Sequence, residues 1–293
     1  MHVLVTGGTG LVGRPLSKAL AAAGHAVTVV SRAPMRVAGR AVGWDELDVI
    51  MPEVDAVVNL AGASIADGRW TAARKERIRT SRVQGTRALV LAMERSARTP
   101  HVLVSASAVG VYGPRGDEEL DESAASGAGF LASVCRAWER EASAAEALGA
   151  RVVLLRLGVV LAPHGGALGR MLIPFRACVG GPLGSGRQWM SWVHVDDVVG
   201  LVLAALQNAD LVGPVNATAP SPVTNRDFTK ALGRAVQRPA VLPVPGFALR
   251  LALGEMASML LTGQRVLPAA ATKAGYEFGF AEIAPALTAC VTR

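Results

Sequence analysis

The first thirteen residues, MHVLVTGGTGLVG, constrain this chain more than any other stretch. A short apolar run, Val3-Leu4-Val5, leads into Thr6-Gly7-Gly8-Thr9-Gly10-Leu11-Val12-Gly13, and an alanine-rich helical pattern follows as far as Gly24. A strand, a glycine turn and a helix in that order predict a mononucleotide-binding unit. In that geometry Gly7 permits the tight turn out of the strand. Gly10 lets a pyrophosphate approach the backbone, and Gly13 lets the helix pack closely on the strand. The unpaired N–H groups at the helix start, around Thr9, Leu11 and Val12, then face the phosphates together with the positive end of the helix dipole. Glycines at Gly-x-x-Gly-x-x-Gly spacing are a weak signal alone; the flanking strand and helix give them weight.

The chain repeats the strand–helix alternation. Residues 25–30 read as a second strand that ends at Ser31-Arg32. An acidic residue there accepts a hydrogen bond from the ribose 2′-hydroxyl of NAD; an arginine suits the 2′-phosphate of NADP by charge and by its planar donor fork. Residues 55–60 form a third buried strand running into Ala61-Gly62. Leu60, Ala61 and Gly62 are small or apolar enough for a cofactor to pass over the backbone there. A helix with a basic face spans 70–95, a fourth strand at 101–104 delivers Ser105-Ala106-Ser107, a helix covers 130–148, and 151–157 is a fifth strand. Such alternation predicts an α/β fold: a Rossmann-like, doubly wound parallel sheet.

After Pro163 the pattern loosens. Residues 164–191 are glycine-rich, 192–195 reads as a short strand, and Asp196 or Asp197 is placed to cap a helix reaching Leu206. A short strand at 215–217, a helix at 225–236 capped by Thr224, a proline-punctuated strand at 240–245, an amphipathic helix at 247–261 and a last helix at 281–291 follow. The expected division is a Rossmann domain over 1–163, with a returning segment at about 192–216, and a smaller C-terminal α/β substrate domain over 164–293.

The formal net charge of +7 comes from 26 arginines and only four lysines, scattered without runs or aromatic interleaving, so no nucleic-acid partner is expected. No apolar run reaches membrane-spanning length and no leader is visible, so no membrane partner is expected either. Cys135, Cys178 and Cys290 lie far apart without metal-ligand spacing, which suits a reducing cytoplasm and predicts no metal site.

The motifs together resemble an extended short-chain dehydrogenase/reductase over essentially the whole chain. They are Thr6 to Gly13, Asn59-Leu60-Ala61-Gly62, Ser105-Ala106-Ser107 with Val111-Tyr112-Gly113, Leu155-Arg156-Leu157-Gly158 and His194-Val195-Asp196-Asp197. More narrowly the chain resembles the atypical "epimerase family protein" branch, family 39U. Gly68-Arg69-Trp70, Ser81-Arg82-Val83, Trp138-Glu139, Gly186-Arg187-Gln188-Trp189 and the run from Asn216 to Pro220 carry that likeness. The resemblance implies NADP(H) binding and a C-terminal substrate region, and no particular reaction.

The chemistry departs from the superfamily pattern. Its Tyr-x-x-x-Lys pair, in which tyrosine is the acid/base and lysine lowers the tyrosine pKa, falls on Leu131 and Cys135. No lysine exists between Lys75 and Lys230. Cys135 reads as a small buried hydrophobe. Met190 stands where sugar-nucleotide enzymes of the group carry an arginine, and Arg187 sits at a different distance. Arg82 replaces an asparagine that faces the active site in relatives, so its guanidinium is expected near the nicotinamide, serving cofactor or substrate. Ser107, Tyr112 and Arg82 are therefore the candidate catalytic residues. The candidate cofactor residues are Gly7, Thr9, Gly10, Leu11, Val12, Gly13, Arg32, Leu60, Ala61, Gly62, Arg82 and Ser105. His194 reads as structural. The expected activity is that of an NADP(H)-binding oxidoreductase-like protein acting on an unknown small carbonyl or alcohol. A non-catalytic NADP(H)-binding or sensing protein and a sugar-nucleotide epimerase stay open, as does a homodimer.

Overall fold

The structure, a computed structural model, describes residues 1–292. Its strands are β1 His2–Thr6, β2 Ala26–Val30, β3 Ala41–Val42, β4 Ala56–Asn59, β5 Val102–Ala108, β6 Glu119–Leu120, β7 Arg151–Leu157, β8 Val159–Leu161, β9 Trp189–Met190, β10 Trp192–His194, β11 Gly213–Ala217, β12 Val223–Thr224 and β13 Arg265–Val266. The helices are α1 Gly13–Ala22, α2 Leu47–Ile50, α3 Ala72–Arg95, α4 Phe130–Ser143, α5 Gly166–Arg176, α6 Val195–Gln207, α7 Asn225–Ala235, α8 Gly246–Leu253, α9 Ser258–Leu261, α10 Ala269–Lys273 and α11 Ile283–Thr292.

A seven-stranded sheet in the order β11-β7-β5-β4-β1-β2-β3 is parallel throughout. The inner strands are buried on both sides, and their period of two divides them between two cores. Val3 and Val5 of β1, Val102 and Val104 of β5 and Val153 and Leu155 of β7 meet α1 and α6. The intervening Leu4, Leu103, Val152 and Leu154 meet α2 and α3. The chain winds outward from β1 to β3 and then reverses through β4, so the switch point lies between the carboxyl ends of β1 and β4, where open α/β sheets bind ligands.

A third core joins α5, α7 and α11 through Leu168, Leu172, Phe175, Phe228, Leu232, Ile283 and Leu287. Strand β11 rejoins the central sheet beside β7, with Val215 opposite Leu155.

The structure corrects several local expectations. The glycine-rich stretch 164–191 contains α5, which keeps Pro174 near its end. No strand forms at 240–245, where only an isolated bridge joins Val244 to Leu183. The single helix expected at 247–261 breaks after Leu253, because Gly254 takes φ +61°; α8 buries none of its residues, and Phe247 and Leu251 are exposed, so they are not core. The side chain that caps α6 is His194, whose Nδ1 accepts from the Asp196 N–H at 3.2 Å. Asp197 is an anchor instead: its buried carboxylate accepts from the N–H groups of Gly279 (2.7 Å) and Phe280 (3.0 Å). Thr224 caps α7 as expected.

Candidate functional site

The glycine turn has the geometry its sequence requires. Gly7 sits at φ +68°, and a Cβ there would lie 2.8 Å from the Leu60 carbonyl carbon. A Cβ on Gly13 would lie 2.1 Å from the Gly7 carbonyl oxygen, so α1 sits against the turn closer than any side chain allows. A Cβ on Gly10 would meet only Gly7 O, at 3.1 Å, and Thr9 and Gly10 are exposed. No side chain caps the start of α1, so the first N–H groups of the helix, near Leu11 and Val12, have no side-chain partner there. The cradle is therefore backbone, open and positive, and it fits a pyrophosphate.

Its far wall is the end of β4. Thr6 Oγ1 donates to Asn59 Oδ1 at 2.7 Å and accepts from the N–H groups of Leu60 and Ala61, both at 3.2 Å. Asn59 Nδ2 then donates to Thr86 Oγ1 (2.8 Å) and to Ser105 Oγ (3.1 Å), and Trp138 Nε1 donates to the same Thr86 hydroxyl at 2.9 Å. This buried network fixes the direction in which the Leu60–Ala61–Gly62 backbone leaves the sheet. Ser105 belongs to it and is fully buried; it supports the floor from behind and touches nothing in the cleft, contrary to the sequence expectation. Beyond β2, Arg32 is exposed and, among the described residues, pairs with no carboxylate.

Arg82 lies against the loop that follows β4. Its Nη1 donates to the carbonyls of Ala63 (3.0 Å) and Ile78 (3.1 Å), and its guanidinium lies 5.1 Å from the Trp138 ring centroid. A Cβ on Gly62 would come within 3.0 Å of its Cζ, so guanidinium and β4 loop are in contact. Burial lowers the Arg82 pKa, with a partial offset from neighbouring Cys135.

Ser107 and Tyr112 lead into a second network. Ser107 Oγ donates to Glu139 Oε1 at 2.7 Å. Arg156 forks onto the same carboxylate, Nε to Oε1 and Nη2 to Oε2, both at 2.9 Å. Arg156 Nη1 also donates to Tyr112 Oη at 2.9 Å, and Tyr112 donates onward to Asn216 Oδ1 at 2.8 Å. Asn216 Nδ2 donates to the Leu267 carbonyl. Burial works against the charge of Arg156, yet the fork to Glu139 outweighs it and raises the guanidinium pKa. Burial likewise raises the Tyr112 pKa. Tyr112 is 0% exposed with its hydroxyl committed on both sides. This corrects its reading as an acid/base: it braces the strand ends.

Leu131 packs against Gly110, and Cys135 lies buried beside Ser107, Arg82 and Glu139. Burial, and then the Glu139 charge, push the Cys135 thiol up to about 11. A thiol in that state is a poor nucleophile at neutral pH. Iodoacetamide is accordingly expected to spare Cys135 at neutral pH while labelling exposed Cys178, with Cys135 reacting only as the pH nears its pKa or the fold opens. Fast labelling of Cys135 at neutral pH, seen by mass spectrometry, would show the reading to be wrong.

These elements meet at the switch point between β1 and β4, and Glu139, Arg156, Asn59 and Trp138, which the sequence offers only as motif residues, are their structural partners. A family model described as the NAD dependent epimerase/dehydratase family matches residues 3–217. The chain belongs to that family. A second model, a domain of unknown function, matches residues 244–290.

Among curated members, an epimerase family protein of Mycobacterium bovis is 45% identical over 99% of this chain and 98% of its own length. The human epimerase family protein SDR39U1 is 40% identical, covering 98% of both chains. A crystal structure of human SDR39U1 with NADPH superposes with a TM-score of 0.91 at 36% identity, covering 100% of this chain and 99% of that one. A UDP-glucuronic acid 4-epimerase of Bacillus cereus, at 16% identity and a TM-score of 0.81, shares the fold. Among the described residues, no helix is long and apolar enough to cross a membrane and no cluster of metal-ligating side chains occurs.

Proposed function

We propose that this epimerase family protein binds NADP(H) across the ends of β1 and β4 and acts as an oxidoreductase on a small carbonyl or alcohol, in the cytoplasm, without a Tyr–Lys pair. The observation that carries the reading is the backbone cradle of Gly7, Gly10 and Gly13 at the uncapped start of α1, with unpaired Arg32 beyond β2. The relative solved with NADPH supports it. Thr9, Leu11 and Val12 would hold the pyrophosphate by their N–H groups, Arg32 the 2′-phosphate, and Leu60 to Gly62 the nicotinamide half. When bound, the cofactor supplies or takes a hydride. Ser107 is buried and donates its hydrogen bond to Glu139, so a hydrogen bond between it and a substrate hydroxyl would be one that it accepts.

NADPH is expected to bind more tightly than NADH. Arg32→Ala should weaken NADPH about tenfold, the worth of one exposed guanidinium–phosphate contact, and leave NADH unchanged. Equal affinities for the two cofactors in the unmodified protein would remove the argument.

Buried Tyr112, together with Leu131 and Cys135 at the positions of the usual pair, favours a second reading, a protein that binds or senses NADP(H) without turnover. Single-turnover oxidation of bound NADPH over a carbonyl panel separates the two. A sugar-nucleotide epimerase fits less well. Met190 is tied down by Asn225 Nδ2 (3.6 Å to Sδ), and Arg187 lines a cavity of about 340 Å³ between the 114–117 turn and residues 261–263.

A further inference from the structure

Lys75, Arg79 and Arg82 follow one another at spacings of four and three along α3, so they share a face. That face meets α4 residue by residue. Lys75 Nζ lies 5.5 Å from the Phe130 ring centroid, Arg79 Nη2 donates to Ser133 Oγ at 3.2 Å, and Arg82 stacks on Trp138. The cationic stripe thus runs from the protein surface at Lys75 inward to the β4 loop. Helix α4 adds to its field, because its start at Phe130 has no side-chain cap and no acidic residue in the first turn.

Among the described residues, only one of these three cations pairs with an acid. Lys75 pairs with Glu255 at 2.5 Å. Arg79 has a serine hydroxyl as partner and Arg82 has two backbone carbonyls. The acid that follows on α4, Glu139, is already held by Arg156 and Ser107. Arg82 is only partly accessible, so it carries a charge away from water with no counter-ion among the described residues. A cation left in that state is costly, and a ligand that brings the missing negative charge removes the cost.

We propose that the α3–α4 groove is the site for an anionic group of the substrate, a carboxylate or a phosphate, with Arg82 as its anchor and Arg79 at its mouth. The substrate class becomes an anionic carbonyl or alcohol. The proposal rests on the NADP(H) reading only for what lies beside the groove.

The test is calorimetric titration of the NADPH-loaded protein, at low ionic strength to limit screening, with oxalate, inorganic phosphate and uncharged oxamide. Saturable binding of oxalate or phosphate, with none of oxamide, is expected; oxalate alone identifies a carboxylate substrate and phosphate alone a phosphorylated one. Arg82→Gln should weaken the anion about tenfold, as loss of a charge-assisted contact does. Arg79→Gln, at an exposed site, should weaken it only about threefold, and Arg82→Lys should retain part of the affinity. If Arg82→Gln does not fold, the other two variants carry the comparison.

Failure of both anions to bind the NADPH-loaded protein overturns the proposal. So does undiminished anion binding in Arg82→Gln. Loss of NADPH affinity in that variant with anion binding unchanged would assign the guanidinium to the cofactor instead. If the unmodified protein takes no NADPH, the cofactor reading falls by itself, and the same titrations without cofactor decide the groove: saturable anion binding lost in Arg82→Gln sustains it, and none overturns it.

Discussion

Arg156→Met is expected to lower the stability of this protein by about 3–5 kcal/mol, the cost of stranding a buried charge. The side chains of Arg156 and Glu139 are 9% and 12% exposed, and Arg156 supplies two of the hydrogen bonds on that carboxylate. Methionine fills the space and removes every donor. Glu139 then keeps Ser107 alone, and Tyr112 loses one of the two bonds that hold its hydroxyl. A neutral pair replaces the lost contacts better than half of a charged one does. The double variant Arg156→Met/Glu139→Leu should therefore recover most of the loss. Urea midpoints measure both. A single-variant loss below about 1 kcal/mol, the range of an exposed pair, would mean that the network does not hold the strand ends.

The second large effect is on cofactor affinity. Gly13→Ala places a methyl carbon 2.1 Å from the Gly7 carbonyl oxygen, a contact that only displacement of α1 can relieve. Overpacking of this kind costs about 1–3 kcal/mol, and the displacement moves the N–H groups that face the pyrophosphate. NADPH affinity should fall by at least about a hundredfold, since several aligned hydrogen bonds are spoiled together. Gly10→Ala provides the contrast, because its methyl meets only Gly7 O at 3.1 Å. That variant should keep its melting temperature and still lose NADPH, as the methyl group occupies the approach of the phosphates. Unchanged fluorescence titration of NADPH with Gly13→Ala would remove the cradle from the binding site.

Much of this was legible because the relevant signals are local. The glycine turn between β1 and α1, the buried strands and the Thr224 cap depend on residues a few positions apart, and the structure has them where the pattern puts them. What was not legible depended on distant partners. Ser105 and Tyr112 read as cleft residues because one lies in the carboxyl half of strand β5 and the other just beyond it, yet their hydroxyls are claimed by Asn59, Arg156 and Asn216, all far away in sequence. A signal for this did exist. Arg156 interrupts an otherwise apolar strand, Leu154-Leu155-Arg156-Leu157, and a charge in such a place requires a buried counter-ion. Glu139, one helix earlier, is that counter-ion. The helix expected at 247–261 is divided because its hydrophobic spacing is continuous while its backbone is not: Gly254 takes φ +61°.

The position of β11 has a consequence for how the molecule is made. Strand β7 ends at Leu157, and the neighbour that completes the sheet beside it arrives only with Gly213–Ala217, about 60 residues later. Helix α6, which closes the core over β1 and β5, lies in the same late stretch. At about 5–20 residues per second on the ribosome, the nascent sheet spends several seconds with β7 as a bare apolar edge. The nucleotide half therefore cannot finish folding as an N-terminal unit released first. It waits for chain that lies beyond α5, and the two lobes are born together.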